Sequence, residues 1–401
     1  MKIIIIGAGI GGPLLALLLK HKGFEPVVYE RHNSIPSSGL AVSLSAQGFK
    51  VLNIMGLAEE AMSLGVQSER MVHRSQITGK VLQDVDSQST VRKMTGWPSS
   101  ITLRSKLCQW LADKMVARGI PIHWGKKFVD LKQVGEKVTA NFEDGTSVEG
   151  DLLVGCDGIH SKVRDALFGP TPAEYTGLVA IGGFTPYTEE LHPTRPLTTN
   201  QVSGNGCHFI CMPTAEDKYF WAVSVPEEAE MLEDWRTAQP TQVSEMLGSL
   251  PASKWEGDTG KIINASESVI KFGLYLRPVP QVWHKGRVVL LGDAAHPITP
   301  FLGQGANVST EDVYHLVRVL VQHAPLTDDS LDKAFKEYTA IRLPKATKVV
   351  EQSRRETENR KVLSDEAIKA RDEMRAKGLN SDVWKLMMEM LQGPFTGESE
   401  I

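Results

Sequence analysis

The amino-terminal run MKIIIIGAGIGGPLLALLLK constrains the fold most, because an apolar segment leads into closely spaced glycines and a helix-like segment follows them. Gly7, Gly9 and Gly12 have the G-x-G-x-x-G spacing, and Pro13 suits the first turn of a helix. In such a turn the first glycine permits the bend, the second lets a pyrophosphate approach the backbone, and the third lets the helix pack on the strand. The run therefore predicts a buried parallel strand at Ile3–Ile6 that ends in a dinucleotide-binding turn.

A secretion signal is the alternative interpretation of this run, since it also has a basic start and an apolar stretch. A small-residue cleavage site should then follow Leu19, but the chain continues with Lys20-His21-Lys22. The glycines in the middle of the run would also weaken a signal helix. We therefore expect the segment to remain in the mature protein and the protein to be cytoplasmic.

The cysteines indicate reduced thiols and no metal site. Four cysteines are too few for a disulfide framework in a chain of 401 residues. Cys207 and Cys211 share one face of the apolar run GCHFICMP, whereas His208 points to the other face, and no second ligand pair follows. We interpret these two residues as buried thiols.

The bulk composition excludes several classes of partner. With 41% hydrophobic residues the chain can bury a large core divided over two or three domains. Its formal net charge of −4 provides no attraction for nucleic acid or an anionic membrane. No apolar run reaches the roughly 18–20 uninterrupted residues of a spanning helix. We expect neither a nucleic-acid partner nor a membrane span.

The order of predicted elements indicates an α/β fold with an inserted domain. A second strand at Pro26–Glu30 completes a βαβ unit, DLLVG at Asp151–Gly155 is another buried strand, and GRVVLLGD returns to this pattern later. Residues 171–280 instead alternate strands and turns, which predicts an antiparallel sheet. We therefore predict a Rossmann-like domain interrupted by an antiparallel-sheet substrate domain, with a helical C-terminus. The ranges are 1–70, 98–170 and 281–345 for the nucleotide-binding domain, 71–97 and 171–280 for the sheet domain, and 346–401 for the C-terminal helices.

Glu30 ends the second predicted strand at the position where a carboxylate accepts a hydrogen bond from the ribose of a dinucleotide. A strand, a helix and this acid around the glycines make the motif far more specific than the glycines alone. The neighbouring Arg31 is a further cofactor-binding candidate.

Two later stretches, LLGDAAHPITPFLGQGANVSTED at 290–312 and CDGIHSKVR at 156–164, complete a set of three motifs. Their sequence and order resemble the fingerprints of the class A flavoprotein monooxygenases, the family with a para-hydroxybenzoate-hydroxylase-like fold. The resemblance covers the cofactor-binding framework and implies FAD as cofactor, with NADPH or NADH as a transient co-substrate. It implies far less about residues 171–280.

The resemblance assigns roles to individual residues. It places Asp293 at the ribityl hydroxyls of FAD and Pro300 near the reactive flavin edge, with the helix start after Gly303 against the flavin pyrimidine carbonyl. Arg104 would point toward FAD, the alternative being a helix-start arginine in solvent. Asp157, with Gly158 and Arg164, would serve both FAD and NAD(P)H. The predicted cofactor-binding residues are Gly7, Gly9, Gly12, Glu30, Arg31, Arg104, Asp157, Asp293, Pro300, Gly303, Gln304, Gly305, Ala306 and Asn307.

The chain also departs from the family pattern. Leu276 occupies the apparent position of an aspartate, although Arg277 is kept, and Ser45 replaces the proline usual after the second-strand loop. His296 is available as a general base, but we expect it to have a structural role.

Substrate contacts are predicted on the strand KYFWAVSVP. Tyr219 and Trp221 share one face with two valines, while Phe220 and Ala222 share the other. The first face either roofs an apolar substrate pocket or packs on helices, and on the first interpretation Tyr219 and Trp221 bind substrate. The sequence identifies no catalytic acid or base. The resemblance implies that none is required, because in the family a flavin C4a-hydroperoxide carries the oxygen chemistry.

These features predict an FAD-dependent, NAD(P)H-consuming monooxygenase, a monomer or homodimer. Dioxygen would hydroxylate or epoxidise a small to medium, largely apolar substrate of aromatic, polyketide or alkaloid-like type. A flavin reductase or dehydrogenase of the same fold is one alternative. A lipid- or protein-binding module without redox chemistry is another.

Overall fold

A computed structural model describes residues 1–36, 39–188, 190–191, 197–232, 237–378 and 382–401. Its strands are β1 Lys2–Ile6, β2 Glu25–Tyr29, β3 Ala41–Leu44, β4 Arg70–Ser75, β5 Val81–Asp86, β6 Ser100–Leu103, β7 Ile122–His123, β8 Phe128–Val134, β9 Lys137–Phe142, β10 Ser147–Gly150, β11 Leu152–Gly155, β12 Glu174–Pro186, β13 Thr198–Ser203, β14 His208–Pro213, β15 Lys218–Pro226, β16 Ser268–Leu276, β17 His284–Lys285 and β18 Val288–Leu290.

The α-helices are α1 Gly11–His21, α2 Ala46–Ile54, α3 Ala58–Ser63, α4 Ser87–Thr95, α5 Arg104–Ala117, α6 Lys162–Phe168, α7 Pro240–Ser249, α8 Asp258–Asn264, α9 Gly305–Gln322, α10 Asp328–Glu358, α11 Asp365–Ala376 and α12 Asp382–Leu391. Short 3-10 turns lie at Pro251–Lys254, Gly292–Ala294 and Pro300–Leu302. Among the described residues no helix is both long enough and apolar enough to cross a membrane.

The first sheet contains the predicted Rossmann-like core. Its strand order is β17-β18-β11-β1-β2-β7, and all neighbours pair in parallel except β17 with β18. The side chains of Ile3, Ile4 and Ile5 in β1 have no exposed surface, as expected of a central strand that is covered on both faces. The α/β fold and the strand at Ile3–Ile6 are confirmed.

The second large sheet forms the wall beside this core. Its order is β16-β12-β15-β14-β13-β4-β5, with antiparallel pairing except between β13 and β4. One face packs on α7, α8 and the turn between them, through residues such as Trp221, Val243 and Ile263. The other face packs on Leu40 and Phe301, which belong to the cofactor-binding framework.

Two smaller sheets complete the framework, β10-β9-β8 and β3-β6. The predicted strand at Lys137–Phe142 and the hairpin of β14 and β15 are confirmed, as is the mostly helical region after residue 328. Helices α7 and α8, inside the predicted sheet region, were missed. Short helices depend on tertiary packing more than on their own propensity, so their sequence carries little signal.

Candidate active site

The glycine turn between β1 and α1 has no space for side chains at two of its three positions. Gly7 has φ +110, and a Cβ atom there would lie 2.4 Å from the carbonyl oxygen of Cys156. A Cβ atom at Gly12 would lie 2.0 Å from the carbonyl oxygen of Gly7. At Gly9, by contrast, the nearest atom to such a Cβ is Nη2 of Arg104, at 3.9 Å. The turn is thus tightly packed at Gly7 and Gly12 and open at Gly9. On the open side, the unpaired N–H groups of the helix start can hold a phosphate.

Glu30 is fixed beside this turn by backbone donors. Its Oε2 accepts a hydrogen bond from the Ala8 N–H at 2.7 Å, and its Oε1 accepts one from the His32 N–H at 2.9 Å. Each carboxylate oxygen retains further acceptor capacity, so a ribose hydroxyl can still donate to it. The neighbouring Arg31 is exposed.

Arg104 reaches the same turn from α5. Its backbone N–H donates to the Leu40 carbonyl, and its aliphatic carbons lie against Gly39, where a Cβ atom would be 3.6 Å from the Cβ of Arg104. The guanidinium group then ends in front of Gly9. This position beside the glycine turn disfavours the alternative of an arginine in solvent.

Asp157 supports the turn from behind. Its carboxylate accepts hydrogen bonds from the Ser161 hydroxyl at 2.6 Å and from the N–H groups of Lys162 and Val163, so it caps the start of α6. Burial raises the pKa of this carboxyl group despite these bonds. The side chain is therefore engaged within the protein, and its Cα atom lies next to Gly7.

Two buried arginines join this loop to neighbouring segments. Arg164 donates to the carbonyl groups of Ala295 and Pro278, and Arg277 donates to the Ile159 carbonyl and to Asp165. The kept arginine of the family pattern thus has a structural partner. Leu276, at the apparent aspartate position, is buried at the end of β16.

The segment after β18 is held by a buried ion network. Asp312 accepts hydrogen bonds from the Gly292 N–H at 3.0 Å and from Arg342 Nε at 2.6 Å, and it pairs with His296 Nε2 at 2.6 Å. Burial opposes ionisation of Asp312, but His296 and Arg342 lower its pKa to about 2. His296 therefore has the structural role that we expected. The network leaves the intervening Asp293 exposed on its 3-10 turn.

The start of α9 presents donors and an acceptor. Its first N–H groups, including those of Gly305 and Ala306, have no intrahelical acceptor. Asn307 is buried and joins this helix to the β3 loop, because its Oδ1 accepts from the Ser45 N–H and its Nδ2 donates to the Ser43 carbonyl. Ser45, which replaces the family proline, is thus tied to the helix.

A polar atom beside this helix start lacks a partner. The Oε1 atom of Gln304 is buried and accepts no hydrogen bond from the described residues, and Gly303, at φ +62, has open space where a Cβ would lie. The N–H groups at the start of α9 need acceptors, and Gln304 Oε1 needs a donor. The pyrimidine ring of a flavin offers carbonyl acceptors and an N–H donor, so it satisfies both requirements. Together with the open glycine turn, these residues fit FAD.

The structure corrects the predicted substrate face. Trp221 has no exposed surface, donates to the Ser266 hydroxyl at 3.1 Å and packs with Tyr219 against α7 and α8. Of the two interpretations, packing on helices therefore describes this face, and Trp221 has no surface left for a ligand. The opposite face carries Phe220 and Ala222 and packs toward Phe301, the residue after Pro300.

His208 and Ser224 are two buried polar residues that the sequence did not single out as candidates. They are directly opposed on β14 and β15, on the same face as Ala222, and are 6% and 5% exposed. Both ring nitrogens of His208 and the Ser224 hydroxyl lack hydrogen-bond partners within the described residues. Burial and then the positive charge of nearby arginines, Arg360 first, lower the pKa of His208 well below its usual value. A lone histidine in an otherwise apolar strand was the available signal.

Known proteins match this chain over the cofactor-binding framework. Residues 1–353 match the family described as FAD binding domain. A 3-amino-4-hydroxybenzoate 2-monooxygenase from Streptomyces cremeus is 30% identical over 88% of this chain and 86% of its own length. An FAD-dependent urate hydroxylase from Mycolicibacterium vanbaalenii is 30% identical over 99% of this chain and 98% of its own length.

A solved structure extends the likeness to three dimensions. Klebsiella pneumoniae HpxO, complexed with FAD and uric acid, has a TM-score of 0.85 at 27% identity, covering 98% of this chain and 97% of that chain. The 2,6-dihydroxypyridine-3-hydroxylase from Arthrobacter nicotinovorans, at 19% identity and a TM-score of 0.75, shares the fold. The similarity therefore includes the second sheet as well as the nucleotide-binding core.

Proposed function

The chain belongs to the FAD-binding-domain family of class A flavoprotein monooxygenases, and on that basis we propose that it takes electrons from NADPH or NADH to hydroxylate a small aromatic or heteroaromatic ring. One observation carries the ring assignment. An apolar wall with an unpartnered polar pair, His208 and Ser224, faces the Pro300–Leu302 turn.

The cofactor would be held along one continuous path. The N–H groups at the start of α1 and the Arg104 guanidinium would bind the pyrophosphate, and Glu30 would bind the ribose. Asp293 and the start of α9 would hold the ribityl chain and the pyrimidine ring, where the positive end of the helix stabilises negative charge. Bound FAD supplies the transfer of one oxygen atom from dioxygen to the ring.

The substrate would lie between the Pro300–Leu302 turn and the second sheet. Ile210, Ala222 and Met212 are partly exposed on that face and would contact the ring, because an apolar surface excludes water from the reacting carbon. His208 and Ser224 would bind a polar ring substituent. As the histidine is neutral, one ring nitrogen accepts a proton donor while the other donates. This pairing would fix which ring carbon faces the cofactor.

The nicotinamide donor is proposed to bind transiently. The sequence contains one G-x-G-x-x-G turn after a strand and offers no second turn of this kind for a stable NADPH domain. The single turn supports an external electron donor that binds at the flavin site only during reduction of the flavin. Experiment decides between NADPH and NADH.

The test measures oxygen uptake by the FAD-loaded protein. NADPH and NADH are each supplied in turn, and each is combined with every compound of a panel of hydroxybenzoates, 6-hydroxynicotinate and urate. The panel follows the printed activities of relatives. We expect one ring compound to stimulate oxygen uptake and to yield a product heavier by one oxygen atom. Reduction of a substrate without oxygen uptake would instead identify a reductase. Release of hydrogen peroxide alone with every compound would contradict the proposal.

A further inference from the structure

Arg360 lies two residues after the end of α10, beyond the residues 1–353 that match the family. Its guanidinium carbon lies 4.0 Å from the ring centroid of Phe301, and its side chain is 12% exposed. Because Phe301 follows Pro300, the C-terminal region delivers a positive charge to the turn that faces the second sheet. The stacking fixes the plane of the guanidinium group.

This arginine uses only part of its hydrogen-bonding capacity. Its Nη1 donates to the backbone carbonyl and to Oε2 of Glu356, both at 2.8 Å. Its Nε and Nη2 groups have no acceptor among the described residues, and both nitrogen atoms keep some exposed surface. These two donors are therefore free to bind a ligand, and their fixed planar arrangement suits a carboxylate.

The surrounding cluster carries more positive than negative charge. Glu356 is shared between Arg360 and Arg375, and Arg371 pairs with Asp372. Within this cluster three guanidinium groups thus face two carboxylates. Arg375 also donates to His73 and Ser203, both on strands of the second sheet. An uncompensated charge in a partly buried position is costly unless a counter-ion pairs with it.

The cluster lies over the polar end of the substrate wall. Ser203 is the cross-strand neighbour of His208, which in turn opposes Ser224. Of the charged groups that act on His208, Arg360 has the strongest effect. Arg360 shares Glu356 with Arg375, and Arg375 donates to Ser203, so the free donors of Arg360 lie on the His208 side of the second sheet.

We propose that Arg360 determines substrate specificity by binding a carboxylate substituent of the ring through its free Nε and Nη2 groups. This inference rests on the proposed function, since it names the charge of the ring compound taken by that site. With the carboxylate bound there, His208 and Ser224 are left for a second polar substituent. Substrates with one carboxylate and one hydroxyl or amino group would then bind in a single orientation.

The experiment compares benzoate with benzamide, a neutral compound of nearly the same shape. Each is titrated into the FAD-loaded protein, and the dissociation constant is read from the perturbation of the visible flavin spectrum. The variants are Arg360→Gln, which removes the charge, and Arg360→Lys, which keeps a positive partner for Glu356 and guards against misfolding. Arg354→Gln is the matched control, because Arg354 lies near the end of α10, six residues before Arg360, and has a half-exposed side chain.

We expect the wild-type protein to bind benzoate more tightly than benzamide. Arg360→Gln should weaken benzoate binding about 10- to 100-fold and leave benzamide binding nearly unchanged. Arg360→Lys should retain part of the preference, and Arg354→Gln all of it. Equal losses for both probes, an unchanged preference in Arg360→Gln, or no response of the wild-type protein to millimolar benzoate would each overturn the inference. Oxygen uptake with the ring panel is a separate readout, so failure of the proposed function is distinguishable from failure of this assignment.

Discussion

Alanine substitutions at Gly9 and Gly12 separate cofactor binding from folding within one turn. At Gly12 the new methyl group would lie 2.0 Å from the Gly7 carbonyl oxygen, more than 1 Å inside the 3.4 Å at which ordinary contact begins. The clash is with backbone, so α1 must move away from β1. Forcing extra volume into a packed interface costs about 1–3 kcal/mol, and we expect the free energy of unfolding to fall by at least that amount.

At Gly9 the same methyl group meets open space, with its nearest neighbour at 3.9 Å. Gly9 has no positive φ, so alanine fits the backbone and should leave the stability of the FAD-free protein unchanged or raise it by about 0.4–1 kcal/mol. The methyl group would, however, occupy the space into which a pyrophosphate must come. We expect FAD affinity to fall about tenfold or more, which corresponds to about 1.4 kcal/mol.

Urea unfolding of the FAD-free variants and fluorescence titration with FAD measure the two effects. The matched pair uses the same chemical change, so each variant is the control for the other. A Gly12→Ala protein as stable as the wild type would refute the predicted backbone clash. A Gly9→Ala protein with a destabilised fold and unchanged FAD affinity would refute the role predicted for Gly9.

Three further predictions test the ion network and both faces of the second sheet. The pKa of Asp312 is lowered to about 2 in the folded protein from an ordinary value of 3.8. The ionised carboxylate should therefore contribute about 2 kcal/mol to the free energy of unfolding, present above pH 4 and lost as the pH falls toward 2. Urea unfolding against pH should show this loss, and Asp312→Asn should remove the pH dependence. His208→Leu should lower kcat/KM for the ring substrate about 10- to 100-fold, with unchanged FAD affinity; wild-type kinetics would exclude His208 from the site. Trp221→Phe should reduce the free energy of unfolding by about 1–3 kcal/mol, because it leaves a cavity and removes the hydrogen bond to Ser266, and it should not alter ring binding. Weakened ring binding at unchanged stability would show instead that Trp221 contacts the substrate.

The cofactor-binding framework was predictable because its signals are local. The run at Ile3–Ile6, the glycine spacing and the following helix lie within a few residues of each other, and each requirement is visible in the printed sequence. The helix predicted to begin near residue 303 likewise begins at Gly305. Strand and turn propensities suffice where neighbouring residues determine the conformation.

The face of the second sheet that is proposed to contact the substrate was not predictable in the same way. Alternation along β15 separates Trp221 from Phe220 correctly, but the sequence does not say which face meets α7 and α8 and which meets Phe301. That choice depends on helices with weak propensity of their own. Arg360 contacts Phe301, which lies 59 positions earlier in the chain. No periodicity of the sequence predicts a contact at that separation.

The visible spectrum of the FAD-loaded protein, recorded without oxygen before and after addition of NADPH and then of NADH, tests the proposed flavin chemistry most directly. We expect flavin bands that bleach with at least one nicotinamide and that return when oxygen is admitted. Bands that persist with both donors, even with the ring panel present, would contradict the proposed electron donor. A protein that shows no flavin bands after incubation with FAD would contradict the assignment of the glycine turn and the α9 start as an FAD site.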